Sequence, residues 1–152
     1  MEVKELGHLV LYVRDLERSR CFYGDLLGWR EVARLKSERS DHGILFSSGR
    51  THHELLLVEA GKDAAPIPAG KRVGLQHFGL KIGESDDALR EALKDLEAAG
   101  VAAGGFTDHG VSHSAYVKDP DGNEIELYID VQPEVWHDDP GAIVKSMKPL
   151  EL

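Results

Sequence analysis

The chain has 152 residues, 41% hydrophobic and 30% charged, with 27 Asp plus Glu against 18 Lys plus Arg and a formal net charge of −9. This is the size of one domain, or of two small packed modules, with the composition of an ordinary soluble globular protein. The acidic balance disfavours nucleic acid as a partner, and no apolar run approaches the roughly 18 residues that a membrane span needs.

The first segment, MEVKELGHLV, lacks a basic start followed by a long apolar stretch, so no signal peptide is expected. The single Cys21 cannot form an intrachain disulfide and fits a reducing compartment, so a cytoplasmic location is expected. LGHLVLYV (6–13) reads as a strand. Asp15 then precedes LERSRCFYGDLLG, a helix with Leu16, Phe22, Leu26 and Leu27 apolar and Gly28 as its stop. Within that helix Cys21 is expected to be buried filler. WREVARL, HGILFSS and HHELLLVEA follow as strand-like runs, and these complete a first module at about 5–60.

GKDAAPIPAGKRV (61–73) is a Pro- and Gly-rich linker. LQHFGLKI (75–82) opens a second module at about 74–131. Ser85 is the expected N-cap of a helix with Leu89, Leu93 and Leu96 at helical spacing, closed by Gly100. VAAGGFT is a weak strand; HSAYVKD and NEIELYID are strong ones, joined by the turn DPDG. The tail, 132–152, is expected to be extended with one short helical turn, with Trp136 and Leu150 as packing anchors.

The two modules therefore share one order, strand–helix–strand–strand–strand, and LGHLVLYV lies over LQHFGLKI with His8 over His77. The expected fold is α+β: two tandem βαβββ modules forming a curled mixed sheet around a cavity, with helices outside. Alternation puts Ile125, Leu127 and Ile129 on one face of the last strand and Glu124, Glu126, Tyr128 and Asp130 on the other. His77 and Glu126 can both face the concave side, and by the repeat so can His8. Two neutral imidazoles and one carboxylate are a divalent-metal donor set, and with open positions beside them they match the facial triad of non-haem Fe(II) oxygenases. On spacing alone a strand His or Glu is as readily a structural or solvated residue. Two registers are also open for the first module. The ungapped alignment, which is preferred, sets Leu56 over Glu126 and leaves three protein ligands, whereas a two-residue gap sets Glu54 there as a fourth.

LGHLVLYVRDLERSRCFYGDLLGW, HHELLLVEA, LQHFGLKI and DHGVSHSAYVKDPDGNEIELYID together resemble the vicinal oxygen chelate superfamily, the group of glyoxalases, bleomycin resistance proteins and extradiol dioxygenases. Within it they are most similar to type I extradiol dioxygenases of the catechol 2,3-dioxygenase kind, over roughly residues 6–136. The resemblance implies an Fe(II)-dependent ring-cleaving dioxygenase, acting on a small aromatic diol with O₂, with Mn, Ni, Co or Zn as alternative metals. It implies His8, His77 and Glu126 as metal ligands, His53 as the acid/base, His109 as a hydrogen-bond partner of the substrate, and Tyr116 beside the substrate oxygen. The interval from His109 to Tyr116 is shorter than in the larger enzymes, and a one-domain version without their extra N-terminal pair of modules is expected. A homodimer is expected from family habit. Two rivals share the scaffold. One is a glyoxalase-like lyase or isomerase that recruits Glu54. The other is a metal-free binding protein of the resistance type.

Overall fold

A computed structural model describes residues 1–36 and 42–152. The chain divides into two compact units, Met1–Ile67 and Pro68–Leu152. The first holds β1 (Leu9–Val13), α1 (Leu16–Arg20), a π-helical stretch (Cys21–Leu26), β2 (Arg30–Leu35), β3 (Gly43–Ser47) and β4 (Leu55–Glu59). The second holds β5 (His77–Gly83), α2 (Asp86–Ala98), β6 (Gly104–Asp108), β7 (Ser112–Lys118) and β8 (Glu124–Asp130). After β8 come α3 (Pro133–Asp138), a 3₁₀ turn (Pro140–Val144) and the two-residue β9 (Lys148–Pro149). The fold is α+β, and through β8 each unit runs strand, helix, three strands.

In the first unit the sheet order is β1-β4-β3-β2, with β1 parallel to β4 and the other pairs antiparallel. Asp15 caps α1 by accepting a hydrogen bond from the Arg18 amide at 2.9 Å. Phe22 and Tyr23 are buried, as are Val13, Ile44, Phe46, Leu55 and Leu57. Cys21, expected inside, is exposed. Its neighbours Phe22 and Tyr23 take the inward positions, which turns residue 21 out to solvent beside the Arg20 guanidinium.

The second unit repeats the pattern, with order β5-β8-β7-β6-β9 and β5 parallel to β8. Ser85 caps α2 through its hydroxyl, which accepts from the Ala88 amide. Leu89 of α2 packs with Ala115 and Ile129 in a buried cluster, against which Leu93 and Leu150 also lie. Ile125, Leu127 and Ile129 are buried, while Glu124, Glu126, Tyr128 and Asp130 are only partly covered, so β8 presents one apolar and one polar face. The tail is more ordered than its sequence implies, since β9 pairs with β6 through Thr107↔Pro149 and Asp108↔Lys148. Leu150 packs as expected, but Trp136 does not. It stands half-exposed on α3, which buries none of its residues, and stacks on His137 with ring centroids 3.9 Å apart.

The DPDG turn sets the register of β7 against β8. Asp119 is buried, and its Oδ1 accepts from the amides of Asp121 (2.9 Å) and Asn123 (2.7 Å) while Oδ2 accepts from Asn123 Nδ2 (2.8 Å). Bonds to a charged, buried acceptor are the strong kind. Asp119→Ala is therefore expected to cost about 2–3 kcal/mol, visible as a lowered midpoint in urea with an unchanged slope.

Candidate functional site

The polar face of the second sheet gathers four of the residues singled out in the sequence. The β5–β8 ladder pairs His77 with Glu124 and Gly79 with Glu126. That offset lets the His77 ring lean toward Glu126, with Nε2 3.3 Å from Oε2. Tyr116 pairs with Glu126 across β7–β8, and its ring meets the His77 ring edge-on at 5.5 Å between centroids. His109, at the tip between β6 and β7, brings Nε2 to 3.7 Å from Glu126 Oε1, beyond hydrogen-bond reach. That nitrogen is buried, without a hydrogen-bond partner among the described residues.

Two glycines make room for this arrangement. Gly79 lies opposite Glu126, and a Cβ there would fall 3.2 Å from Tyr128 Cε1 and 3.6 Å from Glu126 Oε2. Gly105 has φ +62°, a left-handed conformation that favours glycine, and a Cβ on it would sit 3.0 Å from Tyr116 Cδ2. Burial, followed by the Glu126 carboxylate, pushes the Tyr116 phenol up to about 12, so it stays protonated at neutral pH.

Two further residues of this face were missed in the sequence. Ser114 is fully buried and donates its hydroxyl to Glu126 Oε1 at 2.6 Å. Alternation along β7 could have found it, because it shares a face with Tyr116. Gln76 binds His77 Nδ1 through Oε1 and donates from Nε2 to Glu124 Oε1 at 2.6 Å. It lies just before the strand, where alternation gives no guide. His113 belongs elsewhere, on the helix side, with Nδ1 2.6 Å from Asp86 Oδ1.

The first unit carries the other two candidates. His8 lies one residue before β1, with its ring 4.6 Å from that of His53, which in turn lies 4.5 Å from that of His52. Partial burial, then the neighbouring His52 and His8, lower the His53 pKa below the usual value, which keeps the ring neutral near pH 7. The β1–β4 ladder pairs Leu9 with Leu55 and Val10 with Leu56. Compared with Phe78↔Ile125 and Gly79↔Glu126 in the second unit, this makes Leu56 the counterpart of Glu126 and Glu54 the counterpart of Glu124. Glu54 is also engaged. It accepts from the Ser48 amide (2.6 Å), the Ser48 hydroxyl (2.7 Å) and Arg50 Nε (3.0 Å). Burial works to raise its pKa, but these bonds outweigh it and hold the carboxylate below its usual range.

Whether these residues suit a metal is a question of donor chemistry. Among the described residues no three His, Cys, Asp or Glu side chains gather into one metal cluster. The His77–Glu126 pair does offer a neutral nitrogen and an anionic oxygen facing each other. Their 3.3 Å separation is close to that of adjacent donors in a shell with bonds of about 2.1 Å. Each atom's sister, Nδ1 or Oε1, is already bonded to a protein group. The pair offers two of the donors that a divalent ion takes.

Comparison with known proteins then decides the family. The family model described as the Glyoxalase/Bleomycin resistance protein/Dioxygenase superfamily matches residues 5–127. The chain belongs to this superfamily. Among characterised superfamily members it is 34% identical over 138 residues to a catechol-2,3-dioxygenase of Bacillus subtilis, an overlap covering 91% of this chain and 46% of that protein. It is 28% identical over 131 residues to a lactoylglutathione lyase of Haemophilus influenzae, covering 81% of this chain and 90% of that protein. The chain spans 46% to 63% of the length of three dioxygenases it matches. A glyoxylase/bleomycin resistance protein/dioxygenase domain from Frankia sp. EAN1pec superposes with a TM-score of 0.70 at 22% identity, covering 85% of this chain and 99% of that one, which supports the fold. Among the described residues no helix is long and apolar enough to cross a membrane.

Proposed function

We propose that this chain is an extradiol dioxygenase that opens the ring of a catechol-type aromatic diol with O₂, using Fe(II) held by His8, His77 and Glu126. The observation that carries the reading is the His77–Glu126 pair, flanked by Tyr116 and by a buried His109 nitrogen with no partner among the described residues. Bound Fe(II) would supply a Lewis acid for the diol oxygens and a redox-active seat for O₂. The remaining work falls to the side chains. Tyr116, kept protonated, donates a hydrogen bond to a diol oxygen. His109 Nε2 supports the same region of the ring and regains the hydrogen bond it lacks. His53, a neutral imidazole, accepts the proton that the diol loses and returns one as the ring opens.

The lyase relative supports a second reading, a glyoxalase-like metal enzyme on the same scaffold. That reading asks for a fourth protein ligand. Leu56 stands at the position equivalent to Glu126, and Glu54 is held by Ser48 and Arg50, so the first unit favours the three-ligand arrangement. Anaerobic loading with Fe(II), followed by O₂ uptake over a panel of catechols, tests the choice. Stoichiometric uptake with a yellow ring-opened product supports the dioxygenase. Absence of uptake across the panel, with lyase activity in the Ni or Zn form, overturns it.

A further inference from the structure

We infer that Ser114 and Gln76 are positioning residues for the metal, each fixing which atom of its neighbour is left to bind the ion; the inference rests on the proposed ligand role of Glu126 and His77. Ser114 donates to Glu126 Oε1 at 2.6 Å, from a fully buried site on β7 where its hydroxyl has little freedom to turn elsewhere. Oε1 is thereby occupied, and Oε2 is the oxygen that faces His77. Glu126 is thus set up to offer one oxygen rather than two.

Gln76 does the same for the imidazole. Glu124 can only accept hydrogen bonds when ionised, so the amide nitrogen of Gln76 must face it, at 2.6 Å from Oε1. The amide oxygen then faces His77 Nδ1, and an amide oxygen can only accept. The proton of the neutral ring therefore sits on Nδ1, and the Nε2 lone pair points at Glu126 Oε2. Nε2 and Oε2 at 3.3 Å call for a positive charge between them, which either a metal ion or a second ring proton supplies, so the ion competes with that proton. The two neighbours hold that arrangement in place before any ion arrives. Partners of this kind orient ligands, and their removal typically costs about 10–100-fold in metal affinity.

The test is a titration of the metal-free protein with Co(II) alone, read by calorimetry and by the visible absorption of the bound ion. Ser114→Ala and Gln76→Ala are each expected to weaken Co(II) binding by about 10–100-fold and to alter the absorption bands. Gln76 is exposed, so its variant folds even if Ser114→Ala does not. The same substitutions are then made in a Glu126→Gln background. In that background Ser114 can still hold the side-chain oxygen, but the atom left facing His77 is an amide nitrogen that cannot bind the ion, so Ser114→Ala should weaken binding no further, whereas Gln76→Ala, acting through His77, should still do so. A Ser114→Ala loss of equal size in both backgrounds indicates a merely structural role and overturns the assignment. So does wild-type affinity in both Ser114→Ala and Gln76→Ala. If instead Glu126→Gln binds Co(II) as the wild type does, the ligand assignment itself fails and the positioning roles fall with it.

Discussion

Glu126→Ala is expected to yield a folded protein that no longer holds stoichiometric metal and turns over no diol above background. The fold should survive because Glu126 lies on the polar face of β8, while its neighbours Ile125 and Leu127 supply the buried side. The structural penalty at the Ser114 hydroxyl, left without its acceptor, is about 1–2 kcal/mol. The chemical penalty is larger, since the substitution removes the one anionic member of the proposed donor set. Elemental analysis of protein loaded under Fe(II) and repurified, beside a circular-dichroism melt, separates the two effects. Full metal occupancy in the alanine variant would sink the ligand assignment. His8→Ala and His77→Ala should behave alike.

His53→Phe should separate binding from chemistry. His53 touches the His8 ring but is not counted among the ligands, so the iron and anaerobic diol binding should both persist. Turnover should fall by about 10²–10⁴-fold, the usual worth of a positioned acid or base. If the group acts only in the transition state, kcat and kcat/KM fall together. Single-turnover kinetics and iron content are the measurements. Near wild-type turnover would make His53 a bystander, and loss of iron would make it a ligand. Either result would move the proton-transfer role to His109 or Tyr116.

Much of this architecture could be read from periodicity and punctuation. Asp15 and Ser85 are caps, Gly28 and Gly100 are stops, and the apolar alternation of Ile125, Leu127 and Ile129 marks a buried face. Those signals are local, and local rules suffice for them. The alternation of β8 also sets Glu126 on the polar face, together with Glu124 and Asp130, and it is the family resemblance that singles it out among them. What stayed hidden depends on contacts between strands. Ser114 is an ordinary strand residue until the β7–β8 pairing carries its hydroxyl to Glu126, and Gln76 acquires meaning only beside both His77 and Glu124. For Leu56 and Glu54 the ungapped alignment already favours Leu56, and the ladders have the same register; alternation alone is no guide there, because a two-residue slip leaves the faces unchanged. Trp136 and Cys21 were misjudged by residue type alone. Large apolar or sulfur-bearing side chains are usually inside, but a short exposed helix and a π-helical turn set them outward.

The pairing of β9 with β6 has a consequence for solubility. A strand at the rim of a sheet offers a row of unpaired amides and carbonyls to any other chain. In the second unit, Lys148 and Pro149 cover part of that row, with a proline that has no amide to offer and a lysine whose Nζ lies 3.2 Å from Asp108 Oδ2. The first unit has no such cover on β2 among its described residues and relies on charge instead. Glu31 and Arg34 form an ion pair along that strand, and Arg34 also reaches Glu17 of α1. The last few residues of the chain therefore serve as a guard against cross-chain strand addition, and a protein clipped ahead of Lys148 would present β6 as a fresh template for aggregation.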